Sequence, residues 1–394
     1  MKQKNKFKQT EIGKIPEDWK IKKLGALGEV KTGKLDSNYA EEAGKYPFFT
    51  CAPSPLRIND FAFDCEAILL AGNNANGIFH LNYYNGKFNA YQRTYVITVK
   101  DEKRTNLGYL YYHLHLSLNM LKHFSQGTST KFLTMRILDS LEIVLPPIEV
   151  QRKISKTLTD LDAKIELNNK MNKTLEAIGQ ALFKKWFVDE RKEEWKIARL
   201  GDFISLDRGL SYKGAGLAND GIPMVNLGTM APDHGFLYGG LKYYQGEFKE
   251  RNLVKPGDIV IANTDITQRR DVLGSPAIVP NNLGSDKILF THHIYAVRSN
   301  SEIPNIFIYY LLQSIEYKNR ARGFATGTTV LALPEEAILD LEFAVPDNGA
   351  LNKITSFLLT IQENIYSNIN ESQKLSKIRD ALLPKLMSGE IRIK

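Results

Sequence analysis

Several stretches carry residue types that could do chemistry, and each falls short of what its chemistry needs. Gly28-Glu29-Val30-Lys31-Thr32-Gly33-Lys34 sets glycines and lysine as a phosphate-cradling loop does, but Leu35 stands where Ser or Thr must hold magnesium. A turn between two strands accounts for it. Pro232-Asp233 followed by Glu247-Phe248-Lys249 has the bare residue order of a carboxylate-lysine nuclease. Such an enzyme holds magnesium between acids on adjacent strands, whereas Asp233 falls in a Gly- and Pro-rich turn. His113 and His115 are two apart on a predicted helix and point to different faces, so they do not share a metal. Cys51 and Cys65 lack the paired spacing of a zinc site, and no Ser sits in a Gly-x-Ser-x-Gly context. Positive evidence for catalysis is absent, so the expectation is a chain that is not an enzyme and binds no metal or cofactor itself.

What remains is polar, basic and set in loops. The first half offers Lys31, Lys34, the run from Asn73 and Asn74 to Asn76, then Gln92, Arg93, Ser129, Thr130 and Lys131. The second half offers Arg208 and Lys213, then Thr264, Asp265, Thr267, Gln268, Arg269 and Arg270, then His292, His293, Thr328 and Thr329. Asn, Gln and Arg read base edges through paired hydrogen bonds, while Lys, Ser and Thr commonly hold phosphates. Singly, each reads as a solvated loop side chain. As sets in corresponding loops of two basic blocks, they read as contacts to double-stranded DNA. The formal net charge of +8 and a pI near 9.1 favour a polyanionic partner.

These loops hang on a frame that occurs twice. Trp19, Leu24-Gly25 and Gly33 return as Trp195, Leu200-Gly201 and Gly209 at an offset of 176. Toward the block ends the offset becomes 200, as in Tyr95 with Tyr295, Gly127-Thr128 with Gly327-Thr328, and Pro146 with Pro346. The second block therefore carries 200 − 176 = 24 extra residues inside a shared frame, which an internal duplication explains. Within each block the signals are short strands broken by turns, among them Glu66 to Ala71, Arg93 to Val99, Asp258 to Ala262 and Ile294 to Val297. One helix is predicted per block, Tyr109 to Leu121 and Ile306 to Ile315, before a last strand at Leu141 to Leu145 or Leu341 to Val345.

After each block comes a long helix with apolar residues alternating four and three apart: Ile154, Leu158, Leu161, Ile165, Leu175 and Leu182, then Ile354, Leu358, Ile361, Ile365, Leu375 and Leu382. That rhythm is a coiled-coil seam. Midway stand Asn168 and Asn368, polar residues that cost stability and can fix register. Both helices meet the second block at the same end, so paired seams must run antiparallel, with the two asparagines facing each other across a pseudo-two-fold axis. The predicted fold class is α+β: two duplicated mixed domains at 1–147 and 191–346, joined by long antiparallel helices at 148–190 and 347–394. Two cysteines in 394 residues and a polar, basic N-terminus point to a reducing, cytoplasmic setting, and no apolar run is long enough to span a membrane.

With those residues in view, the sequence resembles a known family. Ile15-Pro16-Glu17-Asp18-Trp19, the run from Pro146-Pro147-Ile148-Glu149 to Ile154, Leu182-Phe183-Lys184-Lys185-Trp186-Phe187, and the run from Ile378-Arg379-Asp380 through Pro384 to Ile391 look like the specificity subunit of Type I restriction-modification systems. The resemblance implies a non-catalytic subunit whose two target recognition domains each read half of a split asymmetric DNA sequence. It also implies helices that set the spacer and dock two methyltransferase subunits using S-adenosylmethionine, with a motor-nuclease subunit using ATP and magnesium as a further partner. No base-contact residue is carried over from the family. Asp347-Asn348-Gly349-Ala350 departs from the pattern of Pro147-Ile148-Glu149-Val150, so the entry to the second helix is expected to be shorter or differently capped, and Pro384 to end or kink the helix. The alternatives are a recognition subunit for a methyltransferase without a Type I motor, a coiled-coil scaffold binding protein, or the carboxylate-lysine nuclease.

Overall fold

The structure, a computed structural model, describes residues 6–10, 13–74, 77–127, 130–232, 235–267, 270–300 and 302–393. These fall into two compact units, 1–166 with 372–394 and 167–371, and each long helix contributes to both.

In the first unit a six-stranded sheet runs in the order Gly28–Thr32, Thr94–Val99, Phe63–Ala71, Leu81–Ala90, Tyr46–Phe49, Leu56–Ile58. All neighbours are antiparallel except Tyr46–Phe49, which lies parallel to Leu81–Ala90. Ile68, Leu70 and Ile97 bury one face of this sheet against Leu107, Leu110, Leu114 and Leu121 of the helix Leu107–Phe124. Asn106 caps that helix by accepting from Tyr109 N at 2.9 Å, and Lys122 and His123 complement its C-terminal dipole. The glycine-rich segment is neither a phosphate loop nor a turn between strands. Gly28–Thr32 is itself a strand, and at Gly33 the backbones approach so closely that a Cβ would lie 1.8 Å from Ala90 O.

The second unit repeats this plan. Tyr95 pairs with Thr32 as Tyr295 pairs with Arg208, and Phe48 lies parallel to Asn89 as Met224 lies parallel to Leu289. Tyr95 and Tyr295 also donate their hydroxyls to Leu133 O and Leu333 O, at 2.8 and 3.0 Å. The extra residues split the sheet into one of four strands, Ile204–Arg208, Ile294–Ser299, Ile259–Ala262, Pro276–Ile278, and one of five built round Ile222–Val225 and Ile288–Phe290. The single helix predicted for Ile306 to Ile315 is two, Asn305–Leu311 and Ile315–Phe324. Ser314 breaks it by accepting from Tyr317 N at 3.2 Å, a helix cap just past the end of an apolar run.

The first long helix spans Ile148–Phe183 and loosens into a π-helical turn at Lys184–Asp189; the second spans Asn348–Met387. The entry to the second helix is not shorter. It opens 200 residues after the first, under a different cap: Asp347 accepts from Ala350 N at 2.9 Å, Lys192 Nζ at 2.9 Å and Trp195 Nε1 at 3.3 Å. The Ala350 N–H above all, then Lys192 and Trp195, holds the Asp347 carboxyl well below the usual carboxylate range. Pro384 does not end the helix, which continues to Met387, where Ser388 N donates to Pro384 O at 3.0 Å.

Within each unit the helical segments run antiparallel. In the first, Ile154 and Leu158 share a cluster with Leu383, Leu386, Met387 and Trp19, while Asp162 accepts from Arg379 Nη1 at 2.7 Å. In the second, Trp186 meets Phe357 at a ring separation of 5.3 Å, while Asn168, fully buried, donates to Asn368 O at 3.3 Å and Glu371 Oε2 at 2.8 Å. Asn368 in turn donates to Asn172 Oδ1 at 2.9 Å. Asn168→Asp sets a second carboxylate against Glu371 inside this seam. We expect a loss of about 1–2 kcal/mol at neutral pH. The loss should be relieved in the Asn168→Asp, Glu371→Gln double variant, as read by urea titration.

Candidate nucleic-acid interface

In the first unit one end of the sheet gathers most of the predicted loop residues. Gly72 N donates to Arg93 O at 2.8 Å, and Leu133 N donates to Gly72 O at 2.8 Å. Asn73 and Asn74 pair as a short strand with Lys131 and Phe132. These bonds draw segments 72–74, 92–93 and 131–133 together. Gln92 joins them to the 34–36 segment through Leu35 O at 2.9 Å and Asp36 Oδ2 at 3.3 Å. A methyl group added at Gly77 would sit 3.2 Å from the stems of both Lys122 and Lys131, so this turn lies between two cations. Lys34, Arg93 and Thr130 are exposed. Lys31 sits on the strand Gly28–Thr32, ion-paired with Glu29 at 3.0 Å.

The second unit builds the same end from different side chains. Thr264 and Asp265 pair with Leu331 and Ala332 where Asn73 and Asn74 pair with Lys131 and Phe132. Asn263 N donates to His293 O at 3.1 Å and Asn263 Nδ2 to His292 O at 3.0 Å, while Leu333 N donates to Asn263 O. The His292 and His293 rings lie 3.9 Å apart, and Thr264 Oγ1 meets His293 Nδ1 at 2.9 Å. Burial first, then His292 and Lys242, pulls the His293 pKa down, so this imidazole is neutral at physiological pH. Lys213, His292, Thr328 and Thr329 are exposed.

Four of the expected contact residues make bonds within the protein. Asp265 is fully buried; Oδ1 accepts from Thr267 N at 2.6 Å, and Oδ2 from Val272 N at 2.7 Å and Leu273 N at 3.0 Å. Thr267 Oγ1 accepts from Asp271 N at 3.1 Å, closing the same loop. Arg208 pairs with Glu335 at 3.1 Å and donates to Tyr295 OH at 3.2 Å. Arg270 is exposed but held, with φ +59° and Nη1 donating to Arg322 O at 2.6 Å. Asn76, Ser129, Gln268 and Arg269 lie outside the described residues, as does Asp233.

Sequence reasoning missed several neighbours. Cys51 donates from Sγ to Asn73 Oδ1 at 2.7 Å, and Lys242 Nζ donates to Tyr212 OH at 3.1 Å beside the histidine pair. Tyr212 next to Lys213 was the readable signal, an aromatic interleaved with a cation; Lys242 pairs with Met224 as Leu56 pairs with Phe48, so the first block has no charge at this place to flag it. Among the described residues, no group of three or more His, Cys, Asp or Glu could hold a metal, and Glu247 and Lys249 are exposed loop residues. No helix among them is long and apolar enough to cross a membrane.

Comparison with known proteins agrees with this geometry. Residues 16–177 match the family model described as the Type I restriction modification DNA specificity domain. The Type I restriction enzyme EcoDI specificity subunit of Escherichia coli is 37% identical over 191 residues, 47% of this chain and 41% of that one. The chain thus spans under half of that relative's length. The MjaIX specificity subunit of Methanocaldococcus jannaschii is 28% identical over 98% of this chain and 96% of its own. The crystal structure of a Type I restriction-modification S subunit from M. genitalium shares the fold, with a TM-score of 0.60 at 17% identity over 97% of this chain and 98% of that one. A duplicated α+β frame, two long helices and these matches converge on one likeness: residues 16–177 match the Type I restriction modification DNA specificity domain, and the chain is similar to Type I specificity subunits along nearly its whole length.

Proposed function

We propose that this chain is the non-catalytic reader of a bipartite DNA target, each block recognising one half. Its two helices fix the spacer and dock two methyltransferase subunits. S-adenosylmethionine, and the ATP and magnesium of a motor-nuclease subunit, belong to those partners. One observation carries the reading: the two blocks raise equivalent loops on one frame with different side chains, Asn73 and Asn74 in one, and Thr264 beside His292 and His293 in the other. A single frame with unlike loops suits two unlike half-sites. Lys34, Lys131 and Lys213 serve as phosphate contacts and position the loops without choosing sequence.

Co-expression with an adenine methyltransferase subunit, followed by genome-wide mapping of methyladenine, tests the proposal. A split asymmetric motif with a fixed spacer, methylated on both strands, is the expected result. A formed complex that methylates no such motif, or one whose motif is continuous, contradicts it.

A further inference from the structure

A second basic surface lies on the first unit, at the far end of its strands from the loops above. Lys20, Lys22, Lys100, Lys103 and Arg104 rim a groove of about 780 Å³. All five are exposed. The two acids on the rim are already engaged, Asp18 by Arg392 at 2.6 Å and Asp101 by Arg104 at 3.2 Å. The floor is apolar, formed by Leu27, Leu145 and Pro146. Position is set by register: Gly28 pairs with Val99 at this end of the sheet, and Thr32 with Tyr95 at the loop end.

The second unit serves as an internal control, because it is the same frame. Lys22 pairs with Ile143 as Ala198 pairs with Phe343, and Val99 pairs with Gly28 as Ser299 pairs with Ile204. On that alignment Lys22, Lys100, Lys103 and Arg104 become Ala198, Asn300, Ile303 and Pro304, and Lys196 alone keeps the charge of Lys20. The frame folds without this cluster, so folding does not require it. Asp101 offsets the charge of Arg104, but the four lysines held around one groove cost self-repulsion, which an opposite charge would relieve.

We propose that this groove binds an acidic amphipathic segment of a partner protein, once per chain. Carboxylates on the segment meet the lysine and arginine rim, and its apolar side chains cover the floor. A DNA duplex fits less well. Phosphates gain nothing from an apolar floor, and a groove of this volume accommodates a peptide rather than a rod about 20 Å wide. The asymmetry between the units sets the stoichiometry, since the equivalent face of the second unit lacks the charge to bind a second copy.

The test uses the full chain and a fluorescein-labelled amphipathic Glu/Leu peptide as the probe, with fluorescence anisotropy as the readout. Saturable binding at one peptide per chain is expected, weakened at least tenfold in Lys22→Glu, Lys103→Glu, with a Lys/Leu peptide failing to bind. Lys103→Glu alone lies in a turn outside the sheet and guards against loss of fold; it should weaken binding severalfold with an unchanged melting temperature. Affinity for DNA should be unchanged in both variants. Peptide binding that is absent, occurs twice per chain or is indifferent to these substitutions overturns the inference. So does a loss of DNA affinity with no effect on the peptide, which would assign the groove to the DNA path.

Discussion

An alanine at position 265 is expected to erase reading of one DNA half-site while leaving the other intact. Asp265 touches no solvent, yet it organises the loop on which the second block's candidate contacts stand, through three backbone N–H groups of Thr267, Val272 and Leu273. Each buried N–H left without an acceptor costs about 1–3 kcal/mol, so the present loop conformation ceases to be the favoured one. Asp265→Asn keeps one acceptor oxygen but turns an amide donor toward other donors, and should fall between the two. Hydrogen exchange should show the Val272 and Leu273 amides losing protection in the alanine variant while amides of the first unit keep theirs. The first block's Asn74 occupies the same pairing position opposite Lys131.

Acidification is expected to destabilise the first unit by about 3 kcal/mol between pH 6.5 and pH 4, through His113 alone. Its Nε2 accepts from Val144 N at 3.1 Å, so the imidazole is neutral, and burial pulls its pKa down to about 4. The unfolded chain takes up a proton near 6.5, where the folded chain does not. Stability is therefore full above pH 6.5, falls as pH drops, and levels off below about 4. His113→Gln should flatten that slope, because the second block has Gln313 at this place, donating to Glu176 Oε1 at 2.8 Å. Urea titrations of wild type and variant at several pH values read the difference. A slope that survives the substitution assigns it to other groups.

Much of this architecture is written in the sequence because duplication repeats it. The offsets of 176 and 200 predict that position 32 matches 208 and 95 matches 295, and the strand pairing joins those very residues. The four-three rhythm likewise yields two long helices, with Asn168 bonded to the backbone of Asn368. Local polarity misleads elsewhere. Thr264-Asp265-Ile266-Thr267 reads as a solvated loop, but whether an Asp side chain turns outward or back onto its own N–H groups depends on a chain reversal that composition does not encode. Ser314 splits a helix for the same reason: a hydroxyl beside Gln313 reads as one more tolerated polar residue until its acceptor role is seen. Pro384 sits late enough in its helix that a single remaining turn tolerates the missing donor.

Methylome mapping of two loop variants, made in the full chain beside the same methyltransferase partner, tests the central claim most directly. One carries Asn73→Ala and Arg93→Ala in the first block, the other Thr264→Ala and His292→Ala in the second. If each block reads its own half-site, the first pair relaxes or rewrites one half of the methylated motif and the second pair the other, with the spacer unchanged in both. Variants that degrade both halves together, while the protein remains folded and assembled, would contradict the division of reading between the blocks.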